Sequence, residues 1–345
     1  TAGAGLIGSL ALPSSLRPRQ LKEDMSHVGF YQRKADSGDP TEFFQRPDFT
    51  KVTVESSSAG LFRFRPEDGT CQLLTFDSPF RTVNPTVRKA YARHTRNMRA
   101  AAQYWRHDDG PRPTLCVIHG FMADPYWLNR LFFALPWFYK QGYDILLYTL
   151  PHHGRRQGRF SPFSGHGLFA GGISHINESM AHAVHDFRIF ADYLESQGVT
   201  RMGVTGISLG GYTSALLAAV EERLHFSIPN VPVVSLLDLV LEWFPINVPI
   251  KALLKATNTS VREARHMVAV HSPLTWQPLI PKERLMVIAG AGDRLAPPKH
   301  ARLLWDHWDR PRIHWFPGNH LIHLDKGKYL KEIASFLRET GFDQY

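Results

Sequence analysis

Ser208 stands between two glycines in Gly206-Ile207-Ser208-Leu209-Gly210, with the apolar run MGVTGI before it and the small-residue run GYTSALLAAV after it. A buried strand passing into a buried helix has no use for a hydroxyl at the join unless the hydroxyl does chemistry. Such a join crowds the backbone, so the positions two before and two after the serine tolerate almost no side chain. Gly206 and Gly210 meet that demand, and Gly211 leaves room for the helix to pack on the strand. Ser208 is therefore a candidate nucleophile. A serine hydroxyl is weakly nucleophilic at neutral pH and needs a base, itself oriented by a third group.

Two downstream segments supply candidates for those roles. VIAGAGDRLAPP puts Asp293 just past an apolar run, and IHWFPGNHLIH puts His320 and His323 just past another. Ser208, Asp293 and either histidine would each follow a separate strand, and catalytic groups in open parallel sheets gather at those carboxyl ends. Asp238 is the rival acid, but it falls in a helical pattern, where a solvated or salt-bridged carboxylate is expected. His152 and His153 form an adjacent pair read as loop residues. Arg155 and Arg156 would either hold an anionic group near the mouth of the site or make structural salt bridges. The chain has 18 histidines, yet it contains no HExxH and no paired Cys/His spacing, so neither metal nor cofactor is expected.

The elements that must position these residues show as a change of rhythm. TLCVIHG, DILLYTLP, RMGVTGIS and RLMVIAGAGD are short apolar runs separated by the longer helical patterns YWLNRLFFALPWFYKQG, INESMAHAVHDFRIFADYLESQG and YTSALLAAVEERL. Near-continuous apolar strands alternating with helices indicate an α/β chain whose mostly parallel, doubly wound sheet is covered on both faces. Residues 231–280 interrupt the alternation with an apolar, proline-punctuated stretch of a size to form a helical cap. Residues 1–107 read as an N-terminal extension packed on a catalytic domain at 108–345. The extension carries short strands at LFRFRP (61–66) and CQLLTFD (71–77) and a basic helix over PTVRKAYARHTRNMRAAAQYW. That helix starts at a proline and keeps Val87, Tyr91 and Met98 near helical spacing. No acidic residue occurs from Ser78 to His107, whereas Arg81, Arg88, Lys89, Arg93, Arg96, Arg99 and Arg106 do.

This ordered set of motifs resembles the α/β-hydrolase superfamily, of the serine esterase and lipase type, over roughly residues 110–345. The resemblance implies that Ser208, His320 and Asp293 form a triad, with His320 preferred as the first histidine after its strand. His323 then opens the last helix as a packing or capping residue. It further implies that His119-Gly120-Phe121 is the oxyanion loop, the backbone N–H groups of Phe121 and Leu209 receiving the developing charge. His119, Met122, Trp243 and Phe244 become candidate substrate contacts. The longer HGGG form of some esterases is absent, and PHHGRR (151–156) is similar to an HGxR-like loop of other hydrolase-domain proteins.

Bulk properties bound the reading. With 345 residues and 43% apolar content the chain can bury a large core. The net charge of +9 favours anionic partners, and an anionic membrane met peripherally by the basic helix is the candidate. No RNP, zinc-finger or helix-turn-helix pattern appears, so no nucleic-acid partner is expected. Cys71 and Cys116 form no CxxC, Cys116 reads as a core thiol, and the pair fits a reducing, cytoplasmic location. The first residues lack the basic region of a signal peptide. The expected activity is hydrolysis of small-molecule or lipid esters with a hydrophobic acyl group, through an acyl-enzyme. Thioester hydrolysis or acyl transfer would use the same residues, and a non-catalytic binding protein on the same fold is the reading from another class.

Overall fold

The computed structural model describes residues 18–57, 64–325 and 327–343. Among the described residues, nine strands form one sheet in the order β1-β2-β3-β5-β4-β6-β7-β8-β9. The parallel part comprises β4 (Thr114–Ile118), β5 (Asp144–Tyr148), β6 (Met202–Ile207), β7 (Leu224–Asn230), β8 (Met286–Gly290) and β9 (Arg312–Phe316). β1 (Thr53–Ser56), β2 (Gly69–Asp77) and β3 (Arg99–His107) extend it antiparallel, β3 pairing with β5 through Ala102 opposite Tyr148.

The period of two inside the buried strands assigns side chains to two cores. Cys116 and Ile118 on β4, with Leu146 and Tyr148 on β5, meet α1 (Pro18–Asp36), α4 (Ile173–Ser196), α5 (Leu209–Val220) and α9 (Pro298–His307). Leu115 and Val117, with Ile145 and Leu147, meet α2 (Tyr126–Phe133), α3 (Leu135–Lys140) and α10 (Lys328–Glu339). Both faces are covered, which is why these strands read as unbroken apolar runs. The anticipated cap is present as α6 (Leu236–Glu242), α7 (Asn247–Ala256) and α8 (Val261–His266), inserted between β7 and β8. Among the described residues, no helix is long and apolar enough to cross a membrane.

The N-terminal part departs from its sequence reading. Residues 85–98 form only short turns, at Pro85–Val87, Arg88–Tyr91 and Thr95–Met98, and the anticipated helix gives way to strand β3 at Arg99. The basic helix therefore does not exist, although Arg88, Lys89, Arg93 and Arg96 are exposed on those turns. The run Arg99-Ala-Ala-Ala-Gln-Tyr-Trp has strong helix formers, but pairing with β2 and β5 outweighs propensity, and burial on both faces removes the alternation that marks a strand. Of the strand expected at 61–66, residues 61–63 lie outside the described residues and 64–66 form no strand. The opening segment 1–17 is likewise outside them. Tyr31, Phe43 and Phe44 are buried in the main core, and three N-terminal strands are part of the main sheet, so the N-terminal region is integral to the fold. The pattern expected as one helix over 126–142 is two, broken at Ala134 with φ 46°.

Candidate active site

β6 ends at Ile207 and α5 begins at Leu209, so Ser208 alone makes the turn. It holds φ 57° and ψ −111°, a conformation that side chains rarely adopt and that is kept only where the surroundings enforce it. Its N–H donates to Asn230 O at 3.0 Å, and its carbonyl accepts the first helical bond from Tyr212 N at 2.8 Å. The flanking glycines are obligatory for space. A Cβ on Gly206 would lie 2.3 Å from Gly210 O, and one on Gly210 would lie 2.1 Å from Ile118 O. Ser208 itself stays half-exposed.

Asp293 and His320 meet beyond the ends of β8 and β9, with His320 Nδ1 2.6 Å from Asp293 Oδ2. The other carboxylate oxygen accepts Leu295 N at 2.8 Å and Ala296 N at 2.9 Å, fixing Asp293 against the loop. Both side chains are nearly inaccessible. With Nδ1–H committed to the carboxylate, the lone pair of the neutral imidazole sits on Nε2. Ser208 and His320 line the same cavity of about 170 Å³, together with Gly120, Phe121, Met122, Phe132, Trp243 and Leu321.

Gly120 runs against the serine turn: a Cβ there would meet Ile207 O at 3.3 Å and Ser208 Cβ at 3.6 Å. A side chain at this position would press on the serine turn by a few tenths of an ångström, and the close approach that glycine permits places the following Phe121 in the cavity beside Ser208. Leu209 is the first residue of α5, so its N–H has no intrahelical acceptor.

Several expected residues take other roles. His119 is buried behind the loop, its Nδ1 2.8 Å from Gly120 O and its Nε2 accepting Leu150 N at 3.1 Å. It braces the two loops and does not line the cavity, and burial holds its pKa below the ordinary value. Phe244 is 65% exposed and lies outside the cavity lining, whereas its neighbour Trp243 lines it and donates Nε1–H to Leu295 O at 3.1 Å. His323 precedes α10 rather than opening it, and it stacks on Phe316 with ring centroids 3.7 Å apart. Asp238 is paired with Arg265 at 2.7 Å.

Sequence reasoning missed a buried polar layer behind the site. Asp186 on α4 accepts Arg156 Nη2 at 2.6 Å and lies 2.9 Å from His182 Nε2. Burial alone would disfavour the carboxylate, but His182 and Arg156 hold it ionised well below the usual range. Arg156 also reaches Asn97 O and Thr149 O, tying the turn before β3 and the residue after β5 to the loop that follows. That loop carries His153, which packs edge-on against Phe121 with centroids 5.8 Å apart. Glu178, four residues before His182, accepts Tyr31 Oη, Val83 N and Asn84 N, and burial raises its pKa to about 7. The spacing of four between Glu178, His182 and Asp186 was the available signal, since it aligns three polar groups on one helix face.

A model of the prolyl oligopeptidase family matches residues 176–339, which contain Ser208, Asp293 and His320. An uncharacterised protein of Mycobacterium tuberculosis is 29% identical over 332 residues, covering 93% of this chain and 75% of its own. Acetyl xylan esterase 1 from Thermoanaerobacterium superposes with a TM-score of 0.59 at 15% identity, over 91% of this chain and 93% of its own. The acetyl xylan esterase from Paenibacillus gives 0.59 at 14% identity, over 90% and 94%. The chain has the α/β-hydrolase fold.

Proposed function

We propose that this protein, on its α/β-hydrolase fold, cleaves carboxylic esters through Ser208, His320 and Asp293. The observation that carries the reading is the strained serine sharing one cavity with an imidazole whose far nitrogen is bonded to a buried carboxylate at 2.6 Å. The likeness to esterases supports the same class.

In this mechanism Ser208 Oγ attacks the ester carbonyl carbon while its proton passes to His320 Nε2. Asp293 keeps the imidazole in the right tautomer and stabilises the imidazolium. The carbonyl oxygen, now an anion, accepts the N–H groups of Phe121 and Leu209. Collapse of the tetrahedral intermediate breaks the C–O bond, and the departing alkoxide takes the proton from His320. Water then attacks the acyl-Ser208 carbonyl, giving a proton to His320. The carboxylic acid leaves and Ser208 recovers its proton. A thiol leaving group, or an alcohol replacing water, would follow the same steps.

The test is a fluorophosphonate probe, whose phosphorus is attacked by the activated serine with loss of fluoride. Ser208 should be the labelled residue, and p-nitrophenyl esters should be hydrolysed by the wild type and not by Ser208→Ala. Absence of both labelling and turnover would leave a binding protein on a hydrolase fold as the better account.

A further inference from the structure

Ser208 borders two cavities, and only one of them is the cavity that His320 lines. The other is a chamber of about 90 Å³ that shares Phe121 and Trp243 with the first and is walled further by Phe169, Leu209, Leu239 and Ile246. Beyond it lies a further chamber of about 200 Å³ between cap helix α7, the start of α4 and α1. The two share Phe169, Leu236 and Val240 as common walls, so only these apolar side chains stand between the chamber beside the nucleophile and the one that reaches helix α1. Ile250, Leu253 and Leu254 of α7 face the far chamber, opposite Ile173 and Ile176 of α4 and Met25 of α1.

Both chambers are lined mainly by apolar side chains, although Asp24 also lines the far one, and apolar concavities of this kind are where apolar ligand groups bind. Two apolar chambers in series, opening on a nucleophile, therefore call for an apolar ligand. The chemistry decides which part of the substrate it is. The leaving alkoxide must take its proton from His320, so the alcohol belongs on the side that His320 lines, the cavity of about 170 Å³. The acyl group then extends the other way.

Building on the proposed ester hydrolysis, we infer that the two chambers join past Phe169, Leu236 and Val240 as an acyl-chain channel, and that the substrate is an ester of an unbranched medium- or long-chain fatty acid. The first few carbons occupy the near chamber and the distal carbons occupy the far one. Helix α1 thereby becomes a wall of the substrate site through Met25, a part of the chain remote from the triad in sequence. Each methylene drawn from water into the channel raises kcat/KM by up to about fourfold.

The experiment compares p-nitrophenyl esters of linear acids from acetate to hexadecanoate on the full chain, with Leu254→Trp and Leu253→Trp as channel-filling variants. Both leucines are half-buried on α7 and line the far chamber, so the larger ring has the chamber itself to fill, and either variant serves if the other fails to fold. The readout is the ratio of kcat/KM for dodecanoate to that for butanoate within each protein. The wild-type ratio should exceed one, and each variant should lower it by about tenfold or more, as several methylenes are excluded. A wild-type preference for acetate, or a ratio that the tryptophans do not move, overturns the channel while Ser208 labelling and butanoate turnover leave the hydrolase reading standing. Failure of labelling and of all ester turnover overturns both. Labelling of Ser208 by short- and long-chain alkyl fluorophosphonates gives the same ratio without turnover.

Discussion

Ser208 takes a backbone conformation that a relaxed turn would give to glycine, and the cost is tolerated because the strand before it and the helix after it fix both ends. Ser208→Ala should keep the fold and lower ester turnover by about a thousandfold or more, since nucleophile and base act as one unit. His320→Ala should match it and His323→Ala should fall far short, because His323 stacks on Phe316 and does not touch the cavity. A severe loss in His323→Ala with a small one in His320→Ala, measured on one ester, would reverse that assignment. Gly210→Val should damage stability as well as rate, because even a Cβ would strike the Ile118 carbonyl. A Gly210→Val protein with wild-type melting and turnover would show that the turn is looser than described. The turn at Ser208 with Gly206 and Gly210 was legible in the sequence because a strained turn admits few residue types, so chemistry and sterics leave the same short pattern. His119 and Phe244 were misread for the converse reason. Their types suit a binding site, and nothing in one sequence distinguishes a ring facing a cavity from one facing a loop or solvent.

At the scale of elements, the loop that seats Phe121 is held from behind by Arg156 and Asp186, both fully buried. Removing one partner of such a pair leaves an uncompensated charge, which typically costs about 3–5 kcal/mol. Arg156→Ala and Asp186→Ala should each destabilise by that order in denaturant titration, and turnover should fall with them as His153 and Phe121 lose their support. A loss below about 1 kcal/mol in both variants would mean that water or a neighbour takes over the pairing. Strands β4, β5, β6, β8 and β9 and the cap were readable from apolar runs and proline spacing, whereas β7, with His225 and Pro229 in its run, was not singled out. Nor was β3. Its alanines favour a helix locally, and its register with β2 and β5 is a long-range fact that no window of sequence contains.

Taken whole, the molecule buries many histidines in neutral form, and this has a direction in pH. Burial lowers His175 and His271 to about 3 and His182, His300 and His323 to about 4. Between about pH 6.5 and 4 the unfolded chain binds protons on these groups that the folded chain refuses, so stability falls as pH falls through that window. Glu178, raised to about 7 by burial, acts in the opposite sense from its ordinary value upward, but it is one group against five. Melting temperature should therefore drop on going from pH 7 to pH 5, and an unchanged or higher value at pH 5 would show those histidines to be solvated.

The same wholeness governs truncation. A catalytic unit at 108–345 looked separable in the sequence because the triad and its strands all lie within it. In the fold, β5 sits between β3 and β4, so cutting at residue 107 strips one edge of β5 and exposes its unpaired backbone groups. It also removes Tyr31 and the Val83 and Asn84 amides from Glu178, and Ser78 and Asn97 from the layer around Asp186 and Arg156. Buried polar groups left without partners typically cost about 1–3 kcal/mol each, and Tyr31, Phe43 and Phe44 leave the core at the same time. These losses together exceed the stability that a domain of this size normally holds, about 5–15 kcal/mol. The fragment 108–345 should accumulate as insoluble protein where the full chain is soluble, under the same expression conditions. A soluble, cooperatively melting fragment whose Ser208 still reacts with a fluorophosphonate would show the N-terminal strands to be an accessory rather than part of the folding unit.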